Sequence, residues 1–298
     1  MQLGGIFPAL ATPFDADGAL APDRLHENIE RYNRTGLSGY LVVGSTGESV
    51  LLSRTEIEQA FAAVREAAAP GRVLIAGTGA ESTAETISRT QAAARLGYHF
   101  ALVMTPQFFK PHLKPDTLVA HYRRVADASP IPVLLYSVPQ FTGVALEADV
   151  VGRLAEHPNI AGMKDSSGNV ERLGAILASV PPGFQLLTGA ANSLYPAMAL
   201  GVRGGILALA DFLPELCLDL YQAAAANDVP KARELQRRIL PTSKKIVGGM
   251  GVSGVKYAME RRGYYGGPVR LPLLPLGDAQ KREVESLVAA ESPAAAAR

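Results

Sequence analysis

The chain has one cysteine, Cys217, in 298 residues. That excludes an internal disulfide and any multi-cysteine metal site, and it fits a reducing compartment such as the cytoplasm. An excess of either charge is also missing. Lys and Arg total 29 against 28 Asp and Glu, a net charge of +1, and no basic tract stands out, so neither a nucleic acid nor an anionic membrane surface is an expected partner. No uncharged apolar run reaches the roughly 18 residues of a membrane span. Met1 to Pro8 lack the charged start and apolar stretch of a signal peptide. The five histidines are scattered without metal-ligand spacing, and there is no P-loop. A G-x-G-x-x-G match does occur at Gly249-Met250-Gly251-Val252-Ser253-Gly254. It follows a helical stretch near the C-terminus, and Leu274 stands where an acid is wanted about twenty residues on, so a dinucleotide site is not expected.

What the chain does have is apolar material: 48% of residues are hydrophobic and 19% charged, enough for a large core. Runs of strand length recur at Gly5–Leu10, Tyr40–Val43, Val73–Ala76, Ala101–Met104, Val133–Tyr136, Ile160–Met163, Phe184–Thr188 and Gly205–Leu209. Near-continuous apolar strands are the mark of a parallel sheet buried on both faces. Helical periodicity fills the intervals, as in Leu25, Ile29 and Tyr32, or the capping box Ser53-Arg54-Thr55-Glu56 ahead of Ile57, Ala60, Phe61 and Val64. Eight such alternations predict an α/β fold of the (β/α)8 TIM-barrel type, with a doubly wound open sheet as the alternative. Beyond Leu213 the pattern is only helical: 216–226, 229–240, 244–261 and 278–290. The expected organisation is a barrel over residues 1–222 and a C-terminal helical appendage over 223–298, packed on the barrel rather than independent. Ser292 to Arg298 read as a frayed tail.

Chemistry in such a barrel gathers at the C-terminal ends of the strands. The sixth strand ends in Lys164. Burying an ammonium favours the neutral amine, which can form a Schiff base with a carbonyl compound. A lone lysine there can equally be a core strand reaching the surface. The fifth strand ends in Tyr136, a proton carrier or a core filler. The second is followed by Gly44-Ser45-Thr46-Gly47-Glu48, whose glycines and hydroxyls can hold a carboxylate or simply make a tight turn and cap. Together they place an amine, a phenol and a hydroxyl-glycine loop around one barrel mouth, as Schiff-base chemistry on a small 2-oxo acid requires.

These three elements, in this order, resemble the pyruvate-dependent class I aldolases and lyases, the dihydrodipicolinate synthase and N-acetylneuraminate lyase family, over about Gly5 to Leu276. The resemblance implies that Lys164 is the Schiff-base lysine and Tyr136 the proton shuttle. It implies that Ser45 and Thr46, with backbone from Gly44 to Gly47, bind the pyruvate carboxylate, and that the backbone of Ile206 lines the pocket. It implies no cofactor beyond the covalent Schiff base, and a homo-oligomer, a tetramer or dimer. Two departures bear on the subgroup. Phe141 stands where the synthases carry an arginine for aspartate semialdehyde, and Phe108 where they carry an intersubunit tyrosine. With these departures, 129–139, 157–166 and 263–268 look most like 4-hydroxy-2-oxoglutarate aldolase, with Ser166 as a contact for the distal carboxylate. The expected activity is therefore cleavage of 4-hydroxy-2-oxoglutarate to pyruvate and glyoxylate. The alternatives are condensation of pyruvate with aspartate semialdehyde, and a non-catalytic oxo-acid-binding regulator.

Overall fold

The computed structural model describes residues 3 to 291. The tail expected from Ser292 lies outside them. Eight parallel strands, β1 (Gly5–Pro8), β2 (Gly39–Val42), β3 (Val73–Gly77), β4 (Phe100–Met104), β5 (Val133–Ser137), β6 (Ile160–Asp165), β7 (Gln185–Thr188) and β8 (Gly204–Leu207), pair in the order β1-β8-β7-β6-β5-β4-β3-β2. The two ends of that sheet meet where Ala9 bridges Leu41 and the Leu10 amide donates to the Leu41 carbonyl at 3.0 Å. The result is the expected barrel; an open doubly wound sheet would leave β1 and β2 apart. The outer helices are α1 (Pro22–Asn33), α2 (Arg54–Ala67), α3 (Thr83–Arg95), α4 (Pro115–Ala128), the short α5 (Pro139–Thr142), α6 (Ala148–Ala155), α7 (Val170–Ser179) and α8 (Leu194–Ala199). They are followed by α9 (Pro214–Ala225), α10 (Val229–Thr242), α11 (Gly251–Arg261) and α12 (Asp278–Ala290).

Sequence pattern explains the layering. Successive strand residues point to opposite faces. Phe7, Leu41, Ile75, Leu102, Leu134, Tyr136, Leu187 and Ile206 form one cluster inside the barrel, and their neighbours Ile6, Val42 and Leu74 pack outward against helices. α2 starts at the expected capping box: the Glu56 amide donates to Ser53 Oγ at 3.3 Å, and the Ser53 amide donates to Glu56 Oε2 at 2.8 Å. Ala232, Leu235 and Ile239 of α10, Val255 and Ala258 of α11, and Val284 and Val288 of α12 share a core cluster with β1 and β2. Burial of each large apolar side chain there contributes about 1.5–3 kcal/mol. The division expected at 222/223 falls inside α9.

Two boundaries differ from expectation. The apolar run through Leu209 leaves the sheet at Leu207 and turns into a 3-10 helix over Ala208–Asp211. The single helix expected over 244–261 is a π-helical segment, Ser243–Met250, followed by α11. Gly251, at φ 61°, marks the break and needs the conformational freedom of glycine. The G-x-G-x-x-G match straddles this junction, not a strand-to-helix turn.

Candidate active site

β5 and β6 pair so that Tyr136 and Lys164 are direct neighbours, and Lys164 pairs on its other side with Leu187 of β7. This register places both candidate side chains in one layer near the C-terminal end of the barrel. Lys164 and Tyr136 are each 4% exposed. Lys164 Nζ lies 4.4 Å from the centre of the Tyr136 ring, and Tyr136 Oη lies 3.3 Å from Ser45 Oγ. Ser45 Oγ also approaches Met104 Sδ at 4.0 Å. Three segments far apart in sequence thus form a continuous amine–phenol–hydroxyl line.

The end of β6 is held firmly. Arg172 of α7 donates through Nε to Asp165 Oδ2 at 3.0 Å and through Nη1 to Glu147 Oε2 at 2.7 Å. The Ser166 amide donates to the Ser137 carbonyl at 2.9 Å, and Gln140 Nε2 donates to the Ser166 carbonyl at 2.9 Å. Buried Asp165 therefore meets a guanidinium, as a buried carboxylate requires, and the backbone after Lys164 is fixed from both sides.

The Gly44–Glu48 loop is tied down at its far end. Glu48, left-handed at φ 54° and buried, lies 2.6 Å from Lys256 Nζ and accepts the Arg270 amide at 2.9 Å. Thr12 Oγ1 donates to the Gly47 carbonyl at 2.6 Å. A Cβ on Gly47 would come within 2.9 Å of the Leu10 carbonyl, so the tight turn there requires glycine.

A cavity of about 750 Å³ opens above these groups. Ser45, Thr46, Tyr136, Lys164, Ser166 and Ile206 line it, six of the eight residues expected at the site. Gly44 and Gly47 are buried in the turn behind it. Two further groups escaped the sequence reading. Gly189, after β7, also lines the cavity; a Cβ there would overlap Ser166 Oγ and come within 2.9 Å of Lys164 Cε, so its bareness keeps the lysine's space open. Asp211 is fully buried in the turn after β8, and neither of its carboxyl oxygens finds a well-formed hydrogen bond. Burial pushes its carboxyl well above the usual carboxylate range, against the pull of the Ala11 amide and the Lys164 charge. A lone acid in the apolar run Leu207 to Leu213 was the available signal. Among the described residues, no three His, Cys, Asp or Glu side chains gather as a metal site, and no helix is long and apolar enough to cross a membrane.

Residues 2–291 match the model of the dihydrodipicolinate synthetase family. The chain belongs to this family. Membership places it among the pyruvate-dependent carbon–carbon lyases, which sets aside a non-catalytic regulator. Similar proteins include the 4-hydroxy-tetrahydrodipicolinate synthase of an Exiguobacterium species, 38% identical over 272 residues, covering 91% of this chain and 92% of that one. The synthase of the same name from Neisseria meningitidis is 35% identical, covering 97% and 99%. Among solved structures, a dihydrodipicolinate synthase from Acinetobacter baumannii complexed with pyruvate superposes with a TM-score of 0.92 at 32% identity, covering 97% and 98%.

These relatives correct the expected cleavage of 4-hydroxy-2-oxoglutarate: synthases, not that aldolase, are matched at 35–38% identity across the chain. The physical reason lies in where Phe141 sits. Its side chain is 65% exposed at the cavity rim, so its identity leaves the barrel, Lys164 and Tyr136 untouched. One rim position and three local stretches carry less weight than similarity along the whole chain.

Proposed function

We propose that the protein condenses pyruvate with aspartate semialdehyde, as a 4-hydroxy-tetrahydrodipicolinate synthase. The observation that carries this reading is the name shared by relatives that match nearly end to end; the site geometry supports it.

In this reading neutral Lys164 attacks the C2 ketone of pyruvate to form a carbinolamine. Tyr136 protonates the leaving hydroxyl, which departs as water and leaves an iminium. Loss of a C3 proton gives an enamine, whose C3 forms a bond to the aldehyde carbon of the second substrate, and the aldehyde oxygen takes up a proton. The amino group of the added portion then displaces Lys164 from C2, closing the ring and freeing the lysine. The iminium is the electron sink, so the scheme calls on no metal or organic cofactor.

Ser45 and Thr46 hold the pyruvate carboxylate, assisted by backbone from Gly44 to Gly47, and the Ile206 backbone forms the pocket wall. Ser166, two residues beyond the lysine, offers its hydroxyl to the second substrate. Because Phe108 has no hydroxyl, protons pass from Tyr136 to Ser45, its 3.3 Å neighbour, within one subunit. Phe108 and Phe109 are 76% and 66% exposed, with ring centres 5.0 Å apart in an edge-on arrangement. A paired apolar surface of this kind supports a homo-oligomer, a dimer or tetramer, that covers it. The lone buried cysteine supports residence in the cytoplasm.

Borohydride reduction in the presence of pyruvate tests the covalent step. The reading expects one pyruvyl adduct, mapped to the peptide containing Lys164. An adduct on another lysine, or none, overturns it.

A further inference from the structure

Besides Lys164, Tyr136 and the Ser45 loop, the cavity is walled by the π-helical segment and the start of α11, with Lys244, Gly248 and Gly249 among their residues. Lys164 and Lys244 are the only charged side chains that line this cavity among the described residues; no carboxylate does. In the reaction above Lys164 is held as the neutral enamine when the second substrate is attacked, which leaves Lys244 as the charged side chain of the lining that can meet it. It has no ion-pair partner among the described residues, whereas its neighbour Lys245 is paired with Glu283 at 2.6 Å.

The glycines beside it point the same way. A Cβ on Gly248 would approach nothing closer than the Ser243 carbonyl at 3.7 Å, and one on Gly249 nothing closer than the Lys244 carbonyl at 3.5 Å. Internal packing does not demand glycine at either position. Their lack of side chains leaves the wall low and Lys244 unobstructed. π-Helical turns are uncommon and often occur where a helix serves a site. In the same lining, the position where a guanidinium would grip a carboxylate is the phenyl ring of Phe141.

We propose that Lys244 recognises the carboxylate of the aldehyde substrate and so sets specificity for an anionic aldehyde. This rests on the synthase reading only for the identity of that aldehyde. An ammonium gives a point-charge contact without the planar fork of arginine, so the recognition is salt-sensitive and tolerant of the shape of the acid.

The test uses full-length enzyme with pyruvate reduced onto Lys164. Calorimetry then measures binding of succinate semialdehyde, which carries a terminal carboxylate, and of butanal, which does not. Wild type is expected to favour succinate semialdehyde. Lys244→Ala should bind it about tenfold to a hundredfold more weakly, the range for a lost hydrogen bond to a charged group. Lys244→Arg should restore most of the affinity, and butanal should bind all three proteins alike. Because Lys244 is exposed, thermal melts of the variants should match wild type. Equal binding of succinate semialdehyde by wild type and Lys244→Ala, or no binding by wild type, overturns the proposal. Charge-dependent binding without turnover of aspartate semialdehyde by the untreated wild type upholds Lys244 and removes only the synthase reading.

Discussion

Lys256→Met should destabilise the protein by about 3–5 kcal/mol, the usual cost of stranding one partner of a buried ion pair. The side chains of Lys256 and Glu48 are 2% and 0% exposed and lie 2.6 Å apart. Lys256 Nζ also donates to the Pro268 carbonyl at 2.7 Å and sits 4.3 Å from the centre of the Phe14 ring. Burial lowers the Lys256 ammonium below its ordinary range, with Glu48 pulling it back up, so the pair is held against desolvation by mutual attraction. Removing the amine leaves the Glu48 carboxylate buried with the Arg270 amide as its remaining partner. Denaturant unfolding followed by circular dichroism reads the cost directly. The double variant Glu48→Gln, Lys256→Met should recover at least half of it, because the stranded charge is gone. Since Glu48 ends the loop that carries Ser45 and Thr46, the single variant should also raise KM for pyruvate more than it lowers kcat. A Lys256→Met protein within about 1 kcal/mol of wild type, with unchanged KM, would refute the claim that this pair anchors the loop.

Tyr136→Phe should reduce turnover by about a hundredfold or more, the range for a lost general acid, while borohydride still traps pyruvate on Lys164; an unchanged rate removes the phenol from proton transfer. His121 supplies a pH signature. It is 8% exposed, its Nδ1 is 2.9 Å from Thr83 Oγ1, and its Nε2 has no partner. Burial lowers it from an ordinary 6.5 to about 4, against a small pull from Glu81. Between those values the unfolded chain binds the proton and the folded one does not, so stability is full above pH 6.5 and falls as pH drops toward 4. The loss amounts to roughly 3 kcal/mol. His121→Gln should flatten that part of the pH–stability curve, and a slope unchanged in the variant assigns the acid sensitivity elsewhere.

The sequence made the barrel legible because parallel strands buried on both faces are apolar at every position, inside and outside alike. Val133–Tyr136 shows this: Leu134 faces the barrel interior and Leu135 the outer layer. The same property blurred the end of β8, where Leu207 and Leu209 are equally apolar and only the backbone turns. Helical periodicity ran through 244–261 without showing the change from π to α, although the cluster Gly248, Gly249 and Gly251 was the visible irregularity. Lys164, Tyr136 and Ser45 were legible because each stands at a strand end. Gly189 and Asp211 were not: Gly189 meets Lys164 through the pairing of β7 with β6, and Asp211 is buried in the turn after β8, and no local pattern encodes either placement. The choice of aldolase over synthase failed for a related reason: Phe141 is one residue of a cavity lining that also includes Lys244, about a hundred residues further along the chain.

The most direct test of the central claim is a steady-state assay with pyruvate and aspartate semialdehyde, following the cyclic product through a coupled reduction. Saturable turnover by the wild type, lost in a folded Lys164→Ala variant, is the predicted result. Turnover that survives in Lys164→Ala, or a wild type that forms the pyruvate adduct yet never consumes the semialdehyde, would contradict it.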